Sequence, residues 1–396
     1  MSSSRTVCFQ AGKFRRCITS SIALLWVLSA GGCREAKLDP SPTLRQYVFV
    51  TNGRSDTVSV VDLRAFRAIR RVRVGRGPTG IAASPIRNEV YIVNTASGTV
   101  SFLNAETLQV EAAIAVGSSP FSIELSPDGK SGYVANAGSG TVSVLDLEKR
   151  TVVKTIATAN SPGEAKVSPD GKLLAVSNRG ANTVSIVDLA QMTKVADVEV
   201  GSEPGPMVIL PDNSQLFVAN SGGNNVSAVD LRSYRLITHL ETGRTPAHLV
   251  LKPDGGELFV TNFDAASVTI VNTYADEVAH NLMAGLHPGR ALVNRAGSLL
   301  YFTNFGSDTV SVADIYSRRV LASIAVGSRP DALLLTPDER YLLVLNTLSN
   351  DLAVVDTEVM SLFTLVPLGL SPRDLAIKVF QGPPRTEDSV RVVDGE

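Results

Sequence analysis

Cysteine is nearly absent from this chain. There are three, Cys8, Cys17 and Cys33, all within the first 33 of 396 residues. The remainder can form no internal disulfide and no thiolate metal site. Histidine is almost as rare: the four residues His239, His248, His280 and His287 include no close-spaced pair suited to zinc. Charge of either sign is missing as an excess, with a formal net charge of −1, which argues against nucleic acid as the main partner. No Cys-x-x-Cys-His, Walker-type phosphate loop, His-Glu-x-x-His helix or nucleophile elbow occurs. The apolar content is not low. At 44% hydrophobic residues, a mainly disordered chain is excluded.

Long apolar runs are missing too, with one exception near the start. Arg5, Lys13, Arg15 and Arg16 precede an apolar stretch from Ile18 to Ala30, followed by Gly31-Gly32-Cys33. Thirteen helical residues reach about 20 Å, short of the ~30 Å hydrocarbon core. Residues 1–33 therefore read as a cleaved secretory signal rather than a permanent span. Small residues directly before Cys33 resemble the lipobox of bacterial lipoproteins, with Ala30 where that family prefers Leu. The resemblance implies lipidation of Cys33, anchoring to a membrane, and a periplasmic or cell-surface address. Without the four leader bases, 33 Lys+Arg stand against 38 Asp+Glu. Residues 34–45 read as a polar tether.

The rest repeats. Asn52, Asn94, Asn136, Asn178, Asn220, Asn262, Asn304 and Asn346 are each 42 apart, as are Pro78, Pro120, Pro162, Pro204, Pro246, Pro288, Pro330 and Pro372. A period of ~40–45 residues with short β-type segments is that of propeller blades. Within one unit, Phe121–Leu125, Tyr133–Asn136, Thr141–Asp146 and Val152–Ala157 are separated by Ser-Pro-Asp-Gly-Lys, Ala-Gly-Ser-Gly and Leu-Glu-Lys-Arg turns. That is a four-stranded antiparallel meander with no helical period.

Tyr47-Val48-Phe49-Val50-Thr51-Asn52, Leu258-Phe259-Val260-Thr261-Asn262 and Tyr301-Phe302-Thr303-Asn304 each lead into a Thr-Val-Ser-Val-type strand and a Val-Gly-x-x-Pro-type link. The chain thus resembles the YVTN family of β-propeller repeats, bacterial and archaeal surface and periplasmic proteins. The resemblance spans residues 46–380. It implies an all-β fold, a single propeller of four-stranded antiparallel blades. Second-strand copies number eight, so eight blades are expected, with the family's more familiar seven as alternative. The repeat opens on a second strand at Tyr47, and the missing first strand lies at Pro372–Val379. The C-terminal strand should therefore pair into the first blade and close the ring. Residues 381–396 read as a flexible tail, and charges on the outermost strands as gatekeepers against edge pairing.

What recurs in every blade belongs to architecture. The asparagines are expected to serve turns by bonding their own backbone, and Asp62, Asp146, Asp188, Asp230, Asp314 and Asp356 to cap the next turn. No Asp-rich loop of EF-hand spacing marks a calcium site. Function is expected where blades differ. The position two after each Pro carries Gly80, Ser122, Glu164, Pro206, His248, Arg290, Ala332 and Asp374. The loops after the asparagines add Arg179, Phe263, Asp264 and Phe305, and His287 and Arg329 precede their prolines. In propellers of this family these positions share the channel mouth. They suit a small anionic or polar ligand.

Three functional readings follow. The first is a non-enzymatic, monomeric binding or assembly module without cofactor or metal, presenting its channel mouth to a protein or small ligand. The second is a lactonase-like hydrolase, with His248 or His287 as base and Arg290 at the developing oxyanion. The third holds a non-covalent tetrapyrrole on His248 or His287.

Overall fold

A computed structural model describes residues 44–381. Cys33, the leader, the tether up to residue 43 and the tail from residue 382 lie outside the described residues. Thirty-two strands form eight four-stranded antiparallel sheets. Each sheet is one blade, and the eight-blade expectation holds over seven. The first strand begins at Leu44, two residues ahead of the expected start.

Seven blades each take four consecutive strands. Blade 2, for example, runs Pro78–Ala83, Glu89–Asn94, Thr99–Asn104 and Gln109–Ala115 from the axis outward. Blade 1 is the exception: its innermost strand is Pro372–Gln381, paired antiparallel with Leu44–Asn52. Val48 faces Ile377 and Phe49 faces Ala376 in that register. The ends of the ring thereby pair with each other rather than remaining as free edges. The third strand of the blade is Thr57–Asp62 and the outermost Arg67–Arg73.

Second and third strands are buried on both faces, as in Glu89–Asn94, where all six residues are buried. Their side chains alternate between the two neighbouring blades. Phe49, Val58 and Val60 pack toward blade 2 with Ile81, Val90 and Ile92, while Val48, Val50 and Val61 pack toward blade 8 with Leu343, Leu345 and Val354. Each blade is thus glued on two sides, mainly by β-branched and aromatic residues that fit a pleated surface.

The eight asparagines are architectural, by a different device from the one expected. All are fully buried. Asn262 is extended, with φ −111°; the left-handed residue lies four later, at Asp56, Gly98, Gly140, Asn182, Asn224, Ala266, Asp308 and Asn350. The amide reaches forward into the third strand. Asn94 Nδ2 donates to Thr99 Oγ1 at 3.1 Å and Ser101 Oγ at 2.9 Å, and Asn136 does the same with Thr141 and Ser143. On the other side, Asn136 Oδ1 accepts the backbone N–H of Gly117 in the incoming link at 3.0 Å. A Cβ on Gly117 would lie 2.5 Å from Asn136 Cγ, so glycine lets the link approach closely here; in blade 4 the N–H of Ala159 makes the same bond to Asn178 Oδ1 at 3.2 Å. One amide therefore ties two strands and the link between blades. The Asp caps hold as expected: Asp146 Oδ1 accepts the N–H groups of Glu148 and Lys149, and Asn104 and Asn272 do the same job in their blades.

Asn94→Ala leaves the Ser101 hydroxyl buried without this donor. A loss of about 2–4 kcal/mol is expected for two buried bonds and their stranded partners, read as a lowered thermal midpoint. An unchanged midpoint contradicts the role given to the amide.

Candidate functional site

The innermost strands stand side by side around the axis; Thr79 Oγ1, for instance, donates to the Phe121 carbonyl of the next blade at 2.9 Å. The third residue after each Pro is buried between blades, as with Met207 and Leu249. The second and fourth positions remain partly open except at Gly80, Ala332 and Ala376. There the ionisable residues gather.

Arg290 of blade 7 reaches past blade 8 to Asp374 of blade 1, with Nη1 3.4 Å from Oδ1. Asp374 raises the Arg290 guanidinium above its usual range. The reverse does not hold. Crowding by protein raises the Asp374 carboxyl despite the arginine. A lone contact at 3.4 Å offsets only part of the desolvation, which accounts for the asymmetry. The crowding is that of a narrow channel and not of a sealed core: the Asp374 and Arg290 side chains keep 24% and 45% of their surface open.

Glu164 is pushed up to about 7, mainly by desolvation, with Lys166 opposing and Glu124 adding to the rise. Lys166 Nζ sits 3.1 Å from Glu124 Oε1. His248 is pushed down to about 3, by desolvation first and then by the charges of Arg290 and Lys166. It is neutral at physiological pH. Ala291 N–H faces its Nδ1 at 3.4 Å, which places the ring proton on Nε2. Arg290 thus couples electrostatically to Glu164, His248 and Asp374 inside the channel. Glu124 and Lys166 were missed. Both are fourth-position residues, where the other blades have Ala82, Val208, Val250, Leu292, Leu334 and Ala376.

A second group forms a rim on the asparagine side of the ring. The Phe263 ring stacks on His287 at 4.5 Å and 7° and lies 6.0 Å from Phe305. The Arg329 guanidinium covers Phe305 at 5.5 Å, within cation–π range. Asp264 Oδ1 is 4.0 Å from His287 Nε2, and its other oxygen accepts the Thr245 hydroxyl at 2.6 Å. Local folding sets this up. Phe263–Ala265 makes one 3-10 turn, and the N–H of Phe305 bonds the His287 carbonyl at 3.0 Å. His287 and Arg329 have left-handed φ values of 52° and 55°, but so does the residue before every repeated Pro. Their backbone is architecture, and only their side chains are particular.

Phe263 also borders a groove of about 410 Å³ that runs to Arg179, Glu203 and Pro206. Arg179 Nη2 pairs with Glu203 at 2.6 Å. Arg179, Phe263, Asp264, His287, Phe305 and Arg329 therefore occupy one rim over blades 4 to 8. Among the described residues, no cluster of three or more His, Cys, Asp or Glu is placed to hold a metal ion, and no helix is long and apolar enough to cross a membrane.

The family described as YNCE-like beta-propeller matches residues 27–137 and 80–186. Lactonase, 7-bladed beta-propeller, matches residues 149–236, a segment that contains none of His248, His287 and Arg290. These matches agree with the resemblance to YVTN-type propellers, and the ring has eight blades. No curated protein matches the chain. Among solved structures, a chain of Kuenenia stuttgartiensis hydrazine synthase is 25% identical over 72% of this propeller protein and 96% of its own length, with TM-score 0.59. Dihydro-heme d1 dehydrogenase NirN in complex with DHE is 16% identical, covering 83% and 74%, with TM-score 0.72. A functionally unknown protein from Desulfotomaculum acetoxidans is 19% identical, covering 75% and 99%, with TM-score 0.59.

Glu164 gives a pH signature whose sign is fixed. Its carboxyl titrates near 7 in the fold against an ordinary 4.5, so the folded state binds the extra proton between those values. Stability contributed by the neutral form is lost as pH rises through that window. Glu164→Gln should therefore raise the thermal midpoint most at pH 8 and least at pH 5. A difference independent of pH contradicts the assignment.

Proposed function

We propose that this propeller is an exported, lipid-anchored binding module without catalytic activity. It acts as a monomer and takes a small polar or anionic ligand at its channel mouth. One observation carries the reading: the only stacked aromatic–histidine pair among the described residues shares the rim with the Arg329–Phe305 pair, above a channel with its own arginine. Flat rings and guanidinium groups suit a planar ligand bearing carboxylate or phosphate.

Hydrolysis fits less well. A base is most effective with a pKa near the working pH, and His248 lies far below it. A tetrapyrrole is the second reading, and NirN, a fold relative, is a dihydro-heme d1 dehydrogenase. Here His248 presents Nε2–H and offers no lone pair through that atom. His287, half-exposed on the rim, is left as the candidate axial ligand.

Native mass spectrometry of the protein purified from its own host's envelope tests the reading. The intact protein should carry an added small-molecule mass that Arg290→Ala and Phe305→Ala reduce at least about tenfold, the loss of one charge-assisted or stacking contact. A bare protein in every preparation, or variants that retain the mass fully, contradicts it. A Soret band that His287→Ala abolishes transfers the assignment to the tetrapyrrole.

A further inference from the structure

The eight outermost strands are not alike. That of blade 1, Arg67–Arg73, reads Arg-Ala-Ile-Arg-Arg-Val-Arg, and its flanking turns add Arg64 and Arg76. All six arginines are exposed. None has a carboxylate within ion-pair distance among the described residues. The two acids nearest in sequence are engaged elsewhere: Asp62 Oδ1 accepts the backbone N–H of Arg64, and Asp56 Oδ1 that of Gly77. Only Arg71 has a recorded side-chain bond, to the Leu368 carbonyl at 2.9 Å. Keeping a strand edge from pairing needs one or two charges; blade 3 manages with Lys154 and blade 7 with Arg319. Six unneutralised guanidiniums exceed that need in a chain whose net charge is −1.

The neighbouring edge is the opposite. The outermost strand of blade 8, Ser361–Pro367, has no charged residue, and Leu362, Phe363 and Leu365 are each about two-fifths exposed. Phe66, from the turn that opens the arginine strand, contacts Phe363 edge-on at 5.0 Å, so the basic and apolar strips are continuous.

We propose that this double edge is a docking surface for an anionic lipid bilayer, with the arginines on headgroups and Phe363 and its neighbours at the interface. The position of the edge in the chain selects the bilayer over an acidic protein. Blade 1 is the blade that the chain enters first, at Leu44. Cys33 lies eleven positions earlier, a reach of at most about 40 Å. The choice of lipid therefore rests on the anchoring of Cys33 proposed above. Clustered arginines beside exposed aromatics suit an anionic interface, and the attraction falls within a Debye length as salt rises. An anchored propeller so docked lies on its side, with the channel axis near the membrane plane and both channel mouths open.

The test separates docking from anchoring. Every strand of the ring lies within residues 44–381, so the chain from residue 34 onward, without Cys33, retains the whole propeller. It is to be sedimented with phosphatidylcholine vesicles containing none or about a third phosphatidylglycerol. Binding is expected to the anionic vesicles alone, and to be lost in 0.5 M salt. The quadruple variant R67Q/R70Q/R71Q/R73Q should bind at least about tenfold more weakly with an unchanged thermal midpoint. K154Q/R235Q, on the edges of blades 3 and 5, should bind as the unaltered protein does. Equal sedimentation with both vesicle types, or no effect of the quadruple variant, overturns the proposal. Fatty-acid labelling of Cys33 in cells is scored separately: its absence removes the anchor and leaves the vesicle result standing on its own.

Discussion

Each blade hangs on one buried amide. In seven blades the repeated asparagine donates to two positions of the third strand, and in blade 8 Asn346 donates to Asp351 alone; the oxygens of Asn136, Asn178 and Asn304 also hold the chain arriving from the previous blade. Such a group is costly to leave unpaired in a dry sheet interior. That is why its partners recur with it: Thr or Ser at the fifth position in six blades, with Asn225 and Asp351 as the acceptors in the others, Thr or Ser at the seventh in seven, and Gly in seven of the eight links. The same constraint fixes the period. An insertion between amide and hydroxyls would strand all of them, and none of the eight copies contains one.

A ring of interchangeable sheets puts its chemistry at the places the constraint leaves free. The second and fourth positions after the repeated Pro on the innermost strands, the loops after the asparagines and the residues before the prolines must keep a backbone course but not a side chain. Blades 4, 6, 7 and 1 use this freedom to bring Glu164, His248, Arg290 and Asp374 into the channel. The adjoining loops add the Phe263–His287 stack and the Arg329–Phe305 pair. Outermost strands are free in another way, since nothing packs outside them, and the contrast between the arginines of blade 1 and the apolar edge of blade 8 appears there.

Much of this was legible in the sequence because the fold is periodic. The 42-residue interval gave blade number, and the misplaced first strand gave the closure of Pro372–Gln381 on Leu44–Asn52. The Asp caps followed from turn chemistry alone. Other features were hidden by the same periodicity. The asparagine's forward reach could have been inferred from the recurring Thr and Ser at +5 and +7, but turn propensity offered a more local explanation. Lys166 and Glu124 stand out only when the fourth position after the Pro is compared across blades, and strand alternation places that position beside the second. That Phe263, His287 and Phe305 lie in one sector was expected from their places in the repeat, whereas the parallel stack of Phe263 on His287 required three dimensions.

The most direct measurement compares the protein with a variant whose rim is levelled to small residues found in other blades, Phe263→Ala, His287→Ser, Phe305→Ala and Arg329→Ser. Thermal midpoint and retained ligand are read on the same preparations. If the exceptions serve binding and the repeats serve the fold, the midpoint stays within about 4 °C, a change of roughly 1 kcal/mol, and the ligand is lost. A levelled rim that keeps the ligand, or a ring that melts far lower, contradicts the account.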